Sequence, residues 1–89
     1  MNEYLLPIGS IVRLKETKKP VMIYGVKQRV AMNPEVEIDY IAVPYPEGYC
    51  NEEYQFIFNH DDIDEILFQG YEDELRDIFI KYLDSKSQE

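Results

Sequence analysis

Residues Glu35–Val43, EVEIDYIAV, alternate apolar and polar side chains with period two: Val36, Ile38, Tyr40 and Ala42 fall on one face, and Glu37, Asp39 and Ile41 on the other. That period belongs to a half-buried strand and to no helix. A lone strand leaves its backbone donors and acceptors unpaired, so this stretch obliges its neighbours to supply partners. The sequence on both sides reads accordingly. Ala31-Met32-Asn33-Pro34 before it reads as a turn, and Pro44-Tyr45-Pro46-Glu47-Gly48 after it ends the strand with two prolines and a glycine in five residues. Gly48 is the residue there suited to a positive φ.

Three further strands follow from the same reading. Ser10–Lys15 opens after Gly9, with Ile11, Val12 and Leu14 apolar. Val21–Val30 follows a polar turn and Pro20, which lacks a ladder donor and so suits the first strand position. Gly25 interrupts its period and predicts a bulge or bend. Glu52–Asn59 places Tyr54, Phe56 and Phe58 on one face, with Gln55 and Ile57 opposite. Beyond the acidic turn Asn59-His60-Asp61-Asp62, the residues Ile63, Ile66 and Leu67 have helical spacing over too short a span to persist as a helix, and Ile66–Gln69 reads equally as a fifth strand.

After Gly70 the period changes. Tyr71, Leu75, Ile78, Phe79, Tyr82 and Leu83 recur as on one face of an amphipathic helix of about residues 71–85, with Ile80 off that stripe. Glu72, Asp73 and Glu74 suit its positive end, Glu72–Arg76 and Asp77–Lys81 are i,i+4 pairs, and Ser85–Glu89 is expected to fray. Hairpin-like spacing without βαβ alternation implies one α+β domain over residues 1–89. Its strands lie within residues 9–69 as a small curved antiparallel sheet of four or five strands, in the manner of an SH3-like half-open barrel or a flatter sheet, with the helix packed on or beside it.

Charge narrows the function classes. The 89 residues carry a net charge of −9, distributed as +4 over residues 1–30 and −13 over residues 31–89. A mostly acidic surface repels a phosphate backbone, which speaks against nucleic acid as partner. Basic strands lying near acidic turns account for the asymmetry more simply than a dedicated binding face. No apolar run is long enough for a membrane helix, the N-terminal residues do not read as an export signal, and Cys50 has no internal partner, so a reducing cytoplasm is the expected compartment.

His60 with Asp61, Asp62 and Asp64 invites a metal or acid–base reading. The spacing departs from a calcium loop, and zinc would call for more His or Cys. A capped, solvated turn is the simpler account, so no metal, cofactor or catalytic residue is assigned. Cys50 lacks a basic neighbour in sequence to activate it. Tyr45 and Tyr49 sit in a turn, where burial explains tyrosine less readily than contact does. The expected interaction surface is therefore Tyr45, Glu47, Tyr49, Asp61, Asp62 and Asp64.

The segments LPIGSIVRLK, PVMIYG, DYIAVPYPEGY and FNHDDIDEILFQGYED, in that order over residues 5 to about 74, resemble the bacterial domain-of-unknown-function family 4176. That resemblance implies a short protein of Gram-positive bacteria, encoded beside type VII (ESAT-6-like) secretion genes and LXG toxins. It also implies a non-catalytic accessory or chaperone-like role toward a secretion substrate or toxin. An immunity-type toxin inhibitor is the alternative, and a small metal-binding protein or enzyme a third. The family supplies no catalytic residues to carry across, and the sequence leaves oligomeric state open.

Overall fold

In a computed structural model that describes residues 2, 4–30 and 33–87, the strands β1 (Ile11–Leu14), β2 (Pro20–Val30), β3 (Asn33–Pro44), β4 (Phe56–Phe58) and β5 (Ile63–Phe68) precede one helix, α1 (Glu74–Ser87). The strands form one open antiparallel sheet in the order β4–β3–β2–β1–β5. The architecture is α+β, as the alternation and the terminal helical spacing require.

β2 and β3 are much the longest strands and form the spine. Their register shifts by one residue between Ile23↔Ala42 and Gly25↔Ile41, which is the irregularity predicted at Gly25. The site admits only glycine without rearrangement, because a Cβ there would lie 2.5 Å from Ile41 Cγ2. Beyond the shift β2 and β3 run on as a two-stranded arm, since β1 pairs only with Pro20–Met22 and β4 only with Tyr40–Ala42. This explains why Val36, on the predicted inner face, is 40% exposed while Tyr40 and Ala42 are fully buried.

The core gathers Val12, Val21, Ile23, Tyr40, Ala42 and Phe58 from the sheet, Leu5 and Leu6 from the lead-in, and Ile80 from α1. α1 is fastened to the lead-in at two points. Arg76 donates to the Leu5 carbonyl, and Asn2 donates to Asp84 Oδ1 through its backbone N–H (2.9 Å) and its side-chain amide (2.8 Å).

Several boundaries depart from expectation. Glu52–Tyr54 is a 3-10 turn instead of strand, because the Asn51 side chain accepts from Glu53 N–H at 2.8 Å and curls the chain before β4. His60–Asp62 is the short helical turn, and the fifth strand begins at once, at Ile63. The helix starts at Glu74: Asp73 caps it by accepting from Arg76 N–H at 3.2 Å, leaving Tyr71 and Glu72 in the preceding segment. The helix then runs to Ser87, past the expected fraying point, and Gln88 and Glu89 lie outside the described residues. Of the expected turn at residues 31–34, Ala31 and Met32 lie outside the described residues and Asn33 and Pro34 fall within β3. Gly48 has the expected positive φ, +77°.

Four of the six basic side chains in residues 1–30 lie beside acids of the chain that follows. Arg13 pairs with Glu65 (2.5 Å), Lys19 with Glu47 (2.8 Å), Lys27 with Asp39 (3.1 Å) and Arg29 with Glu37 (3.9 Å). Much of the charge asymmetry of the sequence thus becomes ion pairing between strands and between turns of the fold. Among the described residues, no helix is long and apolar enough to cross a membrane.

Candidate functional site

His60 is held by β3. Its backbone N–H donates to Asp39 Oδ2 (3.0 Å), and its ring Nδ1 lies 2.8 Å from the Tyr40 hydroxyl. That hydroxyl also accepts from Leu6 N–H (3.0 Å), so it ties the lead-in to the imidazole. Asp39 Oδ1 accepts from the Tyr4 hydroxyl (2.8 Å) and from Lys27 Nζ (3.1 Å), and Lys27 also donates to Tyr4 (2.9 Å). Tyr4 meets the His60 ring edge-on at 5.4 Å. The imidazole is therefore part of a clamp joining the lead-in, β2, β3 and the acidic turn. The carboxylate of the clamp is Asp39, which accepts from the His60 backbone N–H and not from the ring, and none of Asp61, Asp62 or Asp64 supplies that contact.

Sequence reading missed Asp39, Lys27 and Tyr4 as a group. A charged residue in the middle of the clearest strand was the available signal for Asp39. Lys27, at φ 52°, sits where β2 twists into its free arm, and nothing local marks it. Burial pushes the Tyr40 hydroxyl from 10.0 up to about 12, and burial likewise raises Tyr4. Partial burial pulls the Lys27 ammonium down, but its bonds to Tyr4 and Asp39 outweigh that and hold it above the ordinary lysine range. For Asp39, burial is opposed and outweighed by the donors His60 N–H, Tyr4 and Lys27, which keep its carboxyl below the usual value.

These shifts predict alkaline sensitivity. A group whose folded pKa exceeds its unfolded value contributes stability below the unfolded pKa and loses it as pH rises through the folded one. Tyr40, Tyr4 and Lys27 share that sign, so the melting temperature should fall from about pH 10.0 to about 12 for Tyr40, with Tyr40→Phe showing a shallower fall. A melting temperature flat across that range would contradict the assignment.

The six residues expected to form an interaction surface are spread over the loop after β3, the His60–Asp62 turn and the start of β5. Tyr45 and Tyr49, on the loop after β3, are 45% and 62% exposed, and Glu47 between them is held by Lys19, which lowers its carboxyl pKa. Asp62 Oδ2 accepts from Asn59 N–H (2.9 Å) and closes its own turn. Asp61 and Asp64 line a shallow recess with Lys15, His60 and Ile66, while Tyr49 borders a separate one with Asn51, Glu52 and Glu53. Among the described residues no three His, Cys, Asp or Glu side chains converge as a ligand set. Cys50 is exposed, its thiol 3.6 Å from the Gly48 carbonyl.

Two further surfaces adjoin these loops in the chain. β5 is an edge strand paired only with β1, and from Asp64 to Phe68 every side chain is exposed. Ile66, Leu67 and Phe68 are thus open beside Asp61, Asp64 and Glu65. On α1, the side chains directed to the core are Ile80 and, in part, Arg76 and Leu83. The predicted stripe is divided: Leu75, Ile78, Phe79 and Tyr82 are 75%, 64%, 42% and 54% exposed. Ile80, which sequence spacing placed off the stripe, is the anchor, because the Arg76 and Asp84 tethers set how the helix is turned.

Over residues 5–79 the chain matches the family model described as Domain of unknown function (DUF4176). No curated protein and no solved structure matches it.

Proposed function

The chain belongs to the DUF4176 family, and we propose that it works as a non-catalytic cytoplasmic protein-interaction domain, an accessory or chaperone-like factor for a type VII secretion substrate or toxin. The observation that carries this reading is the open edge of β5. An unpaired strand edge offers a row of backbone donors and acceptors to an extended segment of another chain, and alternate pockets along it confer selectivity. Here the edge combines exposed Ile66, Leu67 and Phe68 with the acids Asp61, Asp64 and Glu65. A second copy added there would set acid against acid, whereas a basic, apolar segment would be drawn in and its approach accelerated. The class of partner, a secretion substrate or toxin, comes from the family resemblance.

The test is calorimetric titration of the purified chain with toxins encoded beside its gene, at low and moderate salt. Binding is expected to weaken by about tenfold or more in Asp64→Lys and in Leu67→Arg, equivalent to ~1.4 kcal/mol or more. Failure of every neighbouring toxin to bind at either salt would sink the proposal. Protection of cells expressing the isolated toxic domain would shift it toward an immunity-type inhibitor.

A further inference from the structure

We infer that the outward stripe of α1, formed by Leu75, Ile78, Phe79 and Tyr82, is the seat of a second copy of this chain, the two helices packing antiparallel about a twofold axis between Ile78 and Phe79. The four residues follow i, i+3, i+4, i+7 spacing and so make one continuous apolar ridge on a fourteen-residue helix. Leu75 and Ile78 are its most open members, while Phe79 and Tyr82 also border a recess with Asn2, Val26 and Lys27; a continuous ridge of this kind is unlike scattered surface leucines and marks a contact.

The charges along its borders select the occupant. Glu74 and Lys81 lie on one flank of the helix and Lys86 on the other. In an antiparallel pair, the same flank of each helix meets with direction reversed. Leu75 then faces the second copy's Tyr82, Ile78 faces its Phe79, and Glu74 comes beside its Lys81. That ion pair is centred about one residue, ~1.5 Å, from the axis that best overlaps the apolar residues. Every contact occurs twice, as an isologous interface demands. Parallel packing would instead bring opposite flanks together, setting Lys81 beside the second copy's Lys86 and Glu74 against its Phe79.

Glu72, just ahead of the helix, is already engaged within the chain by Arg76 (3.1 Å) and Gln69 (2.8 Å), which leaves the Glu74–Lys81 flank to select the partner. Lys86 lies over the Tyr82 ring, 5.6 Å from its centre, extended along the border. The same chain thus carries an edge strand whose acids repel a second copy and a helix whose Glu74–Lys81 flank is self-complementary. Two helices of this length bury on the order of 1,000 Å² in total, the lower end for specific association, so the dimer is weak and micromolar. Moderate salt favours observing it, by screening the long-range repulsion between two acidic molecules.

Sedimentation velocity from low- to high-micromolar protein at moderate salt tests the assignment, in the absence of any toxin. The wild type should pass from monomer to dimer with concentration. Ile78→Glu should remain monomeric with an unchanged far-ultraviolet spectrum and melting temperature, since this side chain is solvent-facing in the monomer. Glu74→Lys and Lys81→Glu should each weaken the dimer by ~3- to 10-fold, and the double charge exchange should restore it. A wild type monomeric throughout, a dimer indifferent to Ile78→Glu, or a double exchange no better than the single changes would each overturn the antiparallel pair. None of these outcomes bears on toxin binding at β5, which is measured separately.

Discussion

Gly70→Ala is expected to lower the unfolding free energy by about 3 kcal/mol, at the upper end of what forced overpacking costs. Gly70 is where the chain leaves β5 and crosses the turn ahead of β1. Its N–H donates to the buried Ser10 hydroxyl (2.9 Å), which donates to the Pro7 carbonyl (2.7 Å). A Cβ there would collide with the Ile8 carbonyl oxygen and come within 3.1 Å of Ser10 N and 3.2 Å of Gly9 C. All three are backbone atoms of a turn stitched to β2 by Gly9 N–H to the Ile23 carbonyl (2.8 Å), so none can swing aside as a side chain would. Gly48→Ala is the natural comparison: its φ of +77° carries strain but its Cβ would meet nothing within 4 Å, and a cost of about 1 kcal/mol is expected. Urea unfolding of both variants decides the matter. Equal costs would mean that the crossing at Gly70 is loose.

Asp39→Ala should cost about 3 kcal/mol near neutral pH, because it removes the acceptor of three donors at once and strands a mostly buried ammonium. Lys27 and Asp39 side chains are 17% and 16% exposed, which sets this pair apart from surface ion pairs such as Arg29–Glu37. Glu37, 3.5 Å from Lys27, recovers only part of the loss. The effect should depend on pH with a definite sign. Asp39 has a depressed folded pKa, so its contribution is complete above the ordinary value of 3.8 and is lost as pH falls through the folded value. The gap between wild type and Asp39→Ala should therefore narrow in acid. A gap independent of pH would show that the carboxylate's charge is not what holds the clamp.

The two surfaces proposed for association differ in how far the sequence disclosed them. Asp61 and Asp64 were visible as an acidic run, but the open flank beside them follows from β5 being an edge strand, which depends on the order of strands in the sheet. The helical stripe was legible as a spacing, yet spacing says only which residues share a side of a helix. It does not say which arc of a broad apolar side the sheet will accept. Ile80 lies at the border of that arc and became the anchor, while Ile78 at the other border and Leu75 between them were left outside.

Period-two alternation at Glu35–Val43, the breaks at Gly25, Pro44–Gly48 and Gly70, and the change of period after Tyr71 were sufficient to determine an antiparallel sheet followed by a helix. Those signals are local: they act through φ/ψ preference and the period of side-chain direction, and each is complete within a few residues. The clamp of Tyr4, Lys27, Asp39, Tyr40 and His60, the placing of β5 at one edge of the sheet and the rotation of α1 were decided only by the tertiary structure. Each joins residues that are distant in the chain, and its energy exists only once burial has excluded water and brought those groups within hydrogen-bonding reach.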